Sequence, residues 1–136
     1  MSDDQNHFAG TWQLIPELCQ YQDGQPPRDC TYAITTRDQD VTCTLSWTDE
    51  HEKAHDLSYG GPMDGTVIAL KGNKLEASFT RIDAYRLDSS SYFDGRETAY
   101  AHRKVSQDHS LMVVLMVHHH KEDRSTRNFQ IYRRSS

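Results

Sequence analysis

The amino-acid sequence predicts an all-β protein, a single antiparallel up-and-down β-barrel of about 8–10 strands. Apolar and polar residues alternate with period two in a series of short segments, which is the pattern of half-buried strands. Turn-forming residues separate these segments at intervals of about ten residues. No segment shows apolar residues at helical spacing between capping residues, apart from a short turn around residues 17–21.

The strands follow from this alternation in chain order. Their predicted apolar faces are Trp12 with Leu14; Cys30, Tyr32 and Ile34; Val41, Cys43, Leu45 and Trp47; and Leu75, Ala77 and Phe79. The last strand sets Phe129 and Ile131 against Gln130 and Tyr132. Threonine and serine fill the opposite face of the Val41 strand, which suits a solvated strand surface.

Turn residues mark where each strand ends. The predicted turns are Asp23-Gly24, Pro26-Pro27, Asp38 to Asp40, Gly60-Gly61-Pro62, Asp64-Gly65, Gly72-Asn73, Asp94-Gly95 and Gln107-Asp108-His109. Glycine, asparagine and aspartate tolerate the positive φ angles that tight turns require. The regular spacing of these turns divides the chain without any linker or low-complexity stretch.

Both ends of the chain favour a closed barrel over a sandwich. The opening "FAGTW" and the closing "NFQIYRR" are both strand-like, and a closed barrel pairs its first and last strands so that no edge is exposed. We expect Trp12 to fill the closed end. Arg133 or Arg134 of the last strand is expected to stack over the indole ring, a contact that contributes about 0.5–2 kcal/mol.

Length and composition fit one domain over residues 1–136, with residues 1–7 expected to form a flexible tail. The net charge of −5 and the scattered basic residues argue against non-specific nucleic-acid binding. The N-terminus shows no secretion signal, so a cytoplasmic location is expected. The longest apolar run, residues 111–117, is too short for a membrane-spanning helix.

Three cysteines, Cys19, Cys30 and Cys43, cannot all pair with one another. Free thiols in a reducing compartment are the simpler interpretation, and a Cys19–Cys30 or Cys30–Cys43 disulfide is the alternative.

A set of short motifs keeps its order along nearly the whole chain. The motifs are Gly10-Thr11-Trp12-Gln13-Leu14, Pro26-Pro27, Tyr59-Gly60-Gly61, Arg81-Ile82-Asp83, Asp94-Gly95, Arg103-Lys104-Val105-Ser106-Gln107-Asp108, and Asn128 with Tyr132 and Arg134. This set resembles a family of bacterial lipocalin-like proteins, small calycin-type barrels of unknown activity. The Gly-x-Trp opening also resembles that of lipocalins and intracellular fatty-acid-binding proteins. The resemblance implies a barrel but no particular activity, since one fold hosts many functions.

Two differences from other barrel families make fatty acids and haem less suitable as ligands of this chain. Fatty-acid-binding proteins carry Arg-x-Tyr on the last strand to hold a carboxylate, whereas this chain has Gln130 before Tyr132. An amide lacks the charged fork that binds a carboxylate well, so the last strand is not expected to hold one. Haem-binding barrels keep a glycine two residues after the tryptophan, where this chain has Leu14.

The histidines give the only patterns that could indicate a metal site. His118, His119 and His120 end an apolar strand, where His118 and His120 would share a face but lack a third ligand. The string from His51 to His55 matches HExxH, but that motif needs a helix and here falls between strands. We therefore expect polar rim residues, with no metal and no cofactor.

The sequence favours a binding protein over an enzyme. No GxSxG motif or glycine-rich phosphate loop is present, and no cysteine has an adjacent histidine and acid pattern. A barrel of this size either fills with side chains or encloses one small ligand. The expected ligand is small and mostly apolar. Its predicted contacts are Tyr32, Leu45, Tyr59, Phe79, Met112, Met116, Gln130 and Tyr132. The alternatives are a filled barrel with an interaction or structural role, and a histidine-dependent metalloprotein or enzyme.

The strand at residues 111–117 is apolar on both faces. Met112, Val114 and Met116 share one face, and Leu111, Val113, Leu115 and Val117 share the other. A single-walled barrel exposes one of these faces, so that face needs a cover. We expect a covering loop, a homodimer through this strand, or a docking surface.

Overall fold

A computed structural model describes residues 5–22, 24–70 and 74–135. Its regular structure is almost entirely antiparallel β, with one short 3-10 helix at Pro16–Leu18. The strands are β1 (Gly10–Leu14), β2 (Gln20–Tyr21), β3 (Asp29–Arg37), β4 (Asp40–Thr48), β5 (Ala54–Pro62), β6 (Ile68–Ala69), β7 (Leu75–Asp83), β8 (Arg86–Phe93), β9 (Arg96–Val105), β10 (Leu111–His119) and β11 (Ser125–Arg134). The predicted all-β barrel is confirmed. The strands β2 and β6 have only two residues each, which is too short for an alternating pattern to reveal them.

The strands form one nearly closed wall. Their order around it is β5-β4-β3-β1-β11-β10-β9-β8-β7-β6, and β2 pairs with β11. As predicted, the first and last strands pair, with Trp12 opposite Arg134 and Leu14 opposite Tyr132. The wall is interrupted between β5 and β7, an interruption that we call the seam. Residues 63–65 bridge the seam at one end, where the Gly65 amide donates to the Phe79 carbonyl at 2.8 Å.

Trp12 occupies the bridged end of the barrel, which we call the closed end. Its side chain is fully buried, and its indole N–H donates to the Phe8 carbonyl at 2.9 Å. The guanidinium of Arg134 lies 4.2 Å from the centre of the indole ring. Arg133 and Arg134 were both candidates for this contact. Arg134 makes it, because side chains alternate along β11 and Arg133 points outward.

Most predicted turns lie where expected. Asp94 and Gly95 have φ angles of 53° and 80°, which suits the two-residue turn between β8 and β9. The turn predicted at Gly60-Gly61-Pro62 was wrong, since these residues end β5. A Cβ added to Gly60 would lie 2.2 Å from the Val41 carbonyl oxygen, so that glycine permits close approach of β4 to β5. Asp23 and the Gly72-Asn73 turn lie outside the described residues.

The chain before β1 packs against the closed end from residue 6 onward. The imidazole of His7 stacks on that of His109, with ring centres 4.0 Å apart, and the His7 amide donates to the Ala84 carbonyl at 2.7 Å. The first four residues of the predicted tail are not described. Within the described residues, no helix is long and apolar enough to cross a membrane.

Candidate ligand-binding site

The inner face of the barrel becomes steadily more accessible away from the closed end. On β4, Val41 and Cys43 are buried, whereas the next two inward residues, Leu45 and Trp47, are partly exposed. The same gradient is present on β5, where Leu57, which pairs with Leu45, is 50% exposed, whereas Cys30 at the corresponding end of β3 stays buried. Solvent therefore reaches the inner face at the end opposite Trp12. We call this end the mouth.

A buried arginine lies below the mouth. Arg103 projects inward from β9 and is 1% exposed. Its Nε donates to the Tyr32 hydroxyl at 2.7 Å, one terminal nitrogen donates to Ser89 at 2.9 Å, and the other donates to Tyr59 at 3.2 Å. The two tyrosine hydroxyls are 3.1 Å apart. We call these four residues the arginine cluster.

The arginine cluster holds a buried positive charge among neutral partners. Burial opposes the charge on Arg103, yet its pKa stays well above the ordinary value, and the hydrogen bond to the Tyr32 hydroxyl favours the charged form. Burial likewise raises the pKa of Tyr32 well above normal, so this phenol is neutral at physiological pH. A buried ion normally has a partner of opposite charge, because desolvation is costly. None of the partners that the structure describes for Arg103 is a carboxylate.

Arg103 also has donor capacity to spare. A guanidinium carries five N–H groups, and the three described hydrogen bonds of Arg103 use one each. The remaining N–H groups are on the two terminal nitrogens, whose partners Tyr59 and Ser89 are only partly buried. Two such N–H groups on one guanidinium are the donors that a single oxyanion can accept together.

The eight predicted ligand contacts all lie on the inner face, but at different depths. Phe79, Met112 and Tyr132 are fully buried toward the closed end. Tyr32 and Tyr59 belong to the arginine cluster. The three that border the mouth are Leu45, Met116 and Gln130. The structure thus separates a packed floor from an accessible upper wall, and only the latter could meet a ligand without repacking.

Gln130 serves a different purpose from the arginine that it replaces in fatty-acid-binding proteins. Its amide nitrogen donates to the Tyr21 hydroxyl at 2.6 Å, and its amide oxygen accepts from Tyr132 at 3.0 Å. The Tyr132 hydroxyl also lies 3.9 Å from the Cys30 sulfur. This chain of contacts ties β2 to the wall.

All three cysteines are free thiols in the structure. Cys30 and Cys43 are buried, and burial raises the pKa of each thiol.

An aromatic pair stands at the mouth. Trp47 stacks on the imidazole of His55, with ring centres 5.3 Å apart and planes inclined by 18°. The other side of His55 is fixed by Asp49, whose carboxylate lies 2.7 Å from its Nε2. His55 lies on β5 and His51 in the preceding loop, so the HExxH string has no helix to bring its histidines together.

The three consecutive histidines diverge at the rim, as expected. His119 lies 2.9 Å from a Glu97 carboxylate oxygen, and His120 follows the end of β10 and meets the Thr126 hydroxyl at 2.5 Å. Burial lowers the pKa of His118, and the neighbouring histidines add to this decrease. Among the described residues, no group of three or more His, Cys, Asp or Glu could hold a metal ion.

The chain matches no protein-family model and no curated protein sequence. Solved structures are similar over almost its full length. Wild-type fluorescent protein UnaG is 13% identical over 94% of this chain and 97% of its own, with a TM-score of 0.61. The zebrafish ileal bile-acid-binding protein, solved with cholic acid, is 11% identical over 95% and 99%, with a TM-score of 0.60. Secretory abundant heat soluble protein 4 from Ramazzottius varieornatus is 10% identical over 94% of each chain, with a TM-score of 0.58. The chain shares the β-barrel fold of these proteins. At these identities the similarity concerns the fold alone.

Proposed function

We propose that this lipocalin-like barrel binds a small, mostly apolar molecule that carries one anionic group. The observation that carries the proposal is the buried charge of Arg103, which has neutral partners and two N–H groups beyond those that its three described hydrogen bonds use. A ligand carboxylate or sulfonate would supply the missing opposite charge. The partly exposed apolar residues above it, Leu45, Leu57 and Met116, would contact the rest of the ligand.

The similar structures support this proposal at the level of ligand class. One of them is a bile-acid-binding protein solved with cholic acid, which combines an apolar skeleton with an acid group. We also propose that the protein acts in the cytoplasm of a bacterium, in keeping with its free thiols and with the family that the sequence resembles.

Two dyes of different charge test the proposal. Anilinonaphthalene sulfonate is apolar and anionic, whereas Nile red is apolar and neutral. The wild-type protein should bind the first with micromolar affinity, about −8 kcal/mol. An Arg103→Met variant should lose about ten- to a hundred-fold of that affinity, because charged hydrogen bonds are worth about 1.5–3 kcal/mol. Its affinity for Nile red should stay unchanged. Arg103→Lys, which keeps the charge without the fork, should lose less than Arg103→Met.

Two further variants locate the dye. Arg37→Met removes an exposed arginine far from the mouth and should bind both dyes like the wild type. Leu45→Trp places a bulky group on the accessible inner face and should abolish binding of both dyes with little loss of stability. If instead neither dye binds the wild type and Leu45→Trp costs the ~1–3 kcal/mol typical of overpacking, the barrel is filled by its own side chains and the proposal is wrong.

A further inference from the structure

The outer wall of the barrel carries a contiguous apolar surface on β10 and β11, which we call the outer patch. Its members are Leu111, Val113, Leu115, Phe129 and Ile131. The strand register places Val113 beside Ile131 and Leu115 beside Phe129. Leu111, Val113 and Phe129 are 39%, 37% and 41% exposed. The excess of apolar surface predicted on the outer face of β10 is present at Leu111 and Val113, whereas Val117 of the same predicted face is buried. No described segment of the chain covers Leu111, Val113 or Phe129.

Basic side chains border the outer patch on both sides. Arg127 and Arg133 flank it along β11, Lys104 lies beside Val113 on β9, and Arg86 lies beside Lys104 on β8. Lys104, Arg127 and Arg133 are exposed, and none of the ion pairs between described residues includes them. These charges are therefore available to an external partner.

The border of the outer patch is positively charged, whereas the molecule as a whole is negatively charged. The chain has a net charge of −5, yet this border gathers four of its 15 lysines and arginines. Three carboxylates adjoin it and all three are engaged. Asp83, the strand partner of Arg86, accepts a hydrogen bond from the Tyr85 amide at 2.8 Å. Asp88 pairs with Arg86 at 2.9 Å, and Asp108 accepts hydrogen bonds from Ser106 and Ser110 at 2.7 Å. The charge distribution points to an anionic partner.

A groove follows the boundary between the apolar and basic residues. It encloses about 410 Å³ and is open to solvent. Its lining consists of Arg86, His102, Lys104, Val105, Ser106, Leu111, Val113 and Leu115. One wall is basic and the other is aliphatic, an arrangement that could accept a charged headgroup beside the start of a hydrocarbon chain.

We propose that the outer patch docks the protein on an anionic lipid bilayer. Exposed leucine, valine and phenylalanine side chains would enter the interface between headgroups and acyl chains, and the bordering lysine and arginines would meet lipid phosphates and carboxylates. The rest of the acidic surface would be repelled, so the barrel would bind in one orientation. This proposal is independent of any ligand inside the barrel.

Two other occupants fit the outer patch less well. A second copy would bring identical basic borders face to face, and the patch spans only about 13 Å along β10 and about 5 Å across to β11. A stable dimer buries about 800 Å² on each partner, several times this area. A peptide that adds a strand needs a free sheet edge, whereas β10 and β11 are each paired on both sides.

Co-sedimentation with vesicles tests the proposal. We expect the full chain to bind vesicles of phosphatidylcholine with one third phosphatidylserine, to release on addition of salt, and not to bind pure phosphatidylcholine. Replacing Lys104, Arg127 and Arg133 by glutamine should weaken binding by on the order of a hundred-fold, about five-fold for each charge. A Phe129→Ser variant, which keeps every charge, should also bind less.

The matched control changes the same net charge elsewhere. Replacing the exposed Arg37, Lys53 and Lys121 by glutamine leaves the outer patch intact and should leave vesicle binding within about two-fold of the wild type. Equal losses in both triple variants would show that only overall charge matters and would overturn the proposal. So would absence of wild-type binding, or a dimer in analytical ultracentrifugation that Phe129→Ser dissociates, which would assign the patch to a second copy. Circular dichroism would verify that each variant is folded.

Discussion

Replacing Arg134 by methionine should destabilise the closed end of the barrel by about 3 kcal/mol. The guanidinium of Arg134 donates to three main-chain carbonyls, those of His109, Ala9 and His7, at 2.7, 3.0 and 2.5 Å. It also lies over the ring of Trp12. These contacts join the last strand, the loop before β10 and the segment before β1, so the loss should be cooperative.

The magnitude follows from the geometry. Each charge-assisted hydrogen bond is worth up to about 1.5–3 kcal/mol, but water can reach the carbonyls of a partly exposed site after the change, so about 1 kcal/mol per bond is expected. The cation over the indole adds about 0.5–2 kcal/mol. Against this stands the desolvation of Arg134 itself, which lowers its pKa. Methionine keeps the aliphatic packing on Trp12, so charge and hydrogen bonding are what the variant removes.

Urea denaturation followed by far-ultraviolet circular dichroism measures the loss, and heating should show a decrease in Tm of about 10 °C. The control is Arg37→Met, which removes an exposed arginine on β3 and should change the free energy of unfolding by less than about 0.5 kcal/mol. If Arg134→Met also falls below that value, the closed end does not depend on Arg134 and the reasoning is refuted.

Two further predictions concern acid and metal. Hydrogen bonds from Ser106 and Ser110 hold the pKa of Asp108 at about 2, below its ordinary value of 3.8. The contribution of this carboxylate to folding stability is therefore fully present above pH 3.8 and is lost as the pH falls through about 2. Urea denaturation at a series of pH values should therefore show declining stability from about pH 4 to 2. The decline should be shallower in Asp108→Asn, and an unchanged slope in that variant would contradict the assignment. Elemental analysis of protein purified without a histidine tag should find no stoichiometric zinc. Bound zinc that disappears in a His118→Ala, His120→Ala double variant would show that the rim histidines form a site after all.

Most of the fold could be predicted from the alternation of apolar and polar residues, because one face of each strand is buried and the other is solvated. The faces assigned to Cys30 on β3 and to Val41 on β4 are those that the structure buries. The prediction of turns was less reliable, because glycine occurs both in turns and where two strands approach closely. Gly60 and Gly61 looked like a turn, yet in β5 their missing side chains make room for β4 and for Ile68. Such close approach depends on partners distant in sequence.

Arg103 is the main residue that the sequence analysis missed. In the sequence Arg103 stands out only as part of the Arg103–Asp108 motif. The signal was present in alternation along β9, where Ala101, Arg103 and Val105 share one face. A charged residue between two apolar ones on that face predicts either a buried ion or a ligand contact. Only the structure shows that the partners are the hydroxyls of Tyr32, Tyr59 and Ser89, since each comes from a different strand.

Along the seam between β5 and β7, the structure describes no strand pairing. In a sheet that is hydrogen-bonded around its whole circumference, any increase in diameter strains every strand pair at once. Here residues 63–65 join the two sides of the seam at the closed end, where the Gly65 amide donates to the Phe79 carbonyl and the Arg81 amide donates to the Met63 carbonyl. A wall that is open along one line could widen there without breaking a strand pair, whereas the floor around Trp12 is closely packed.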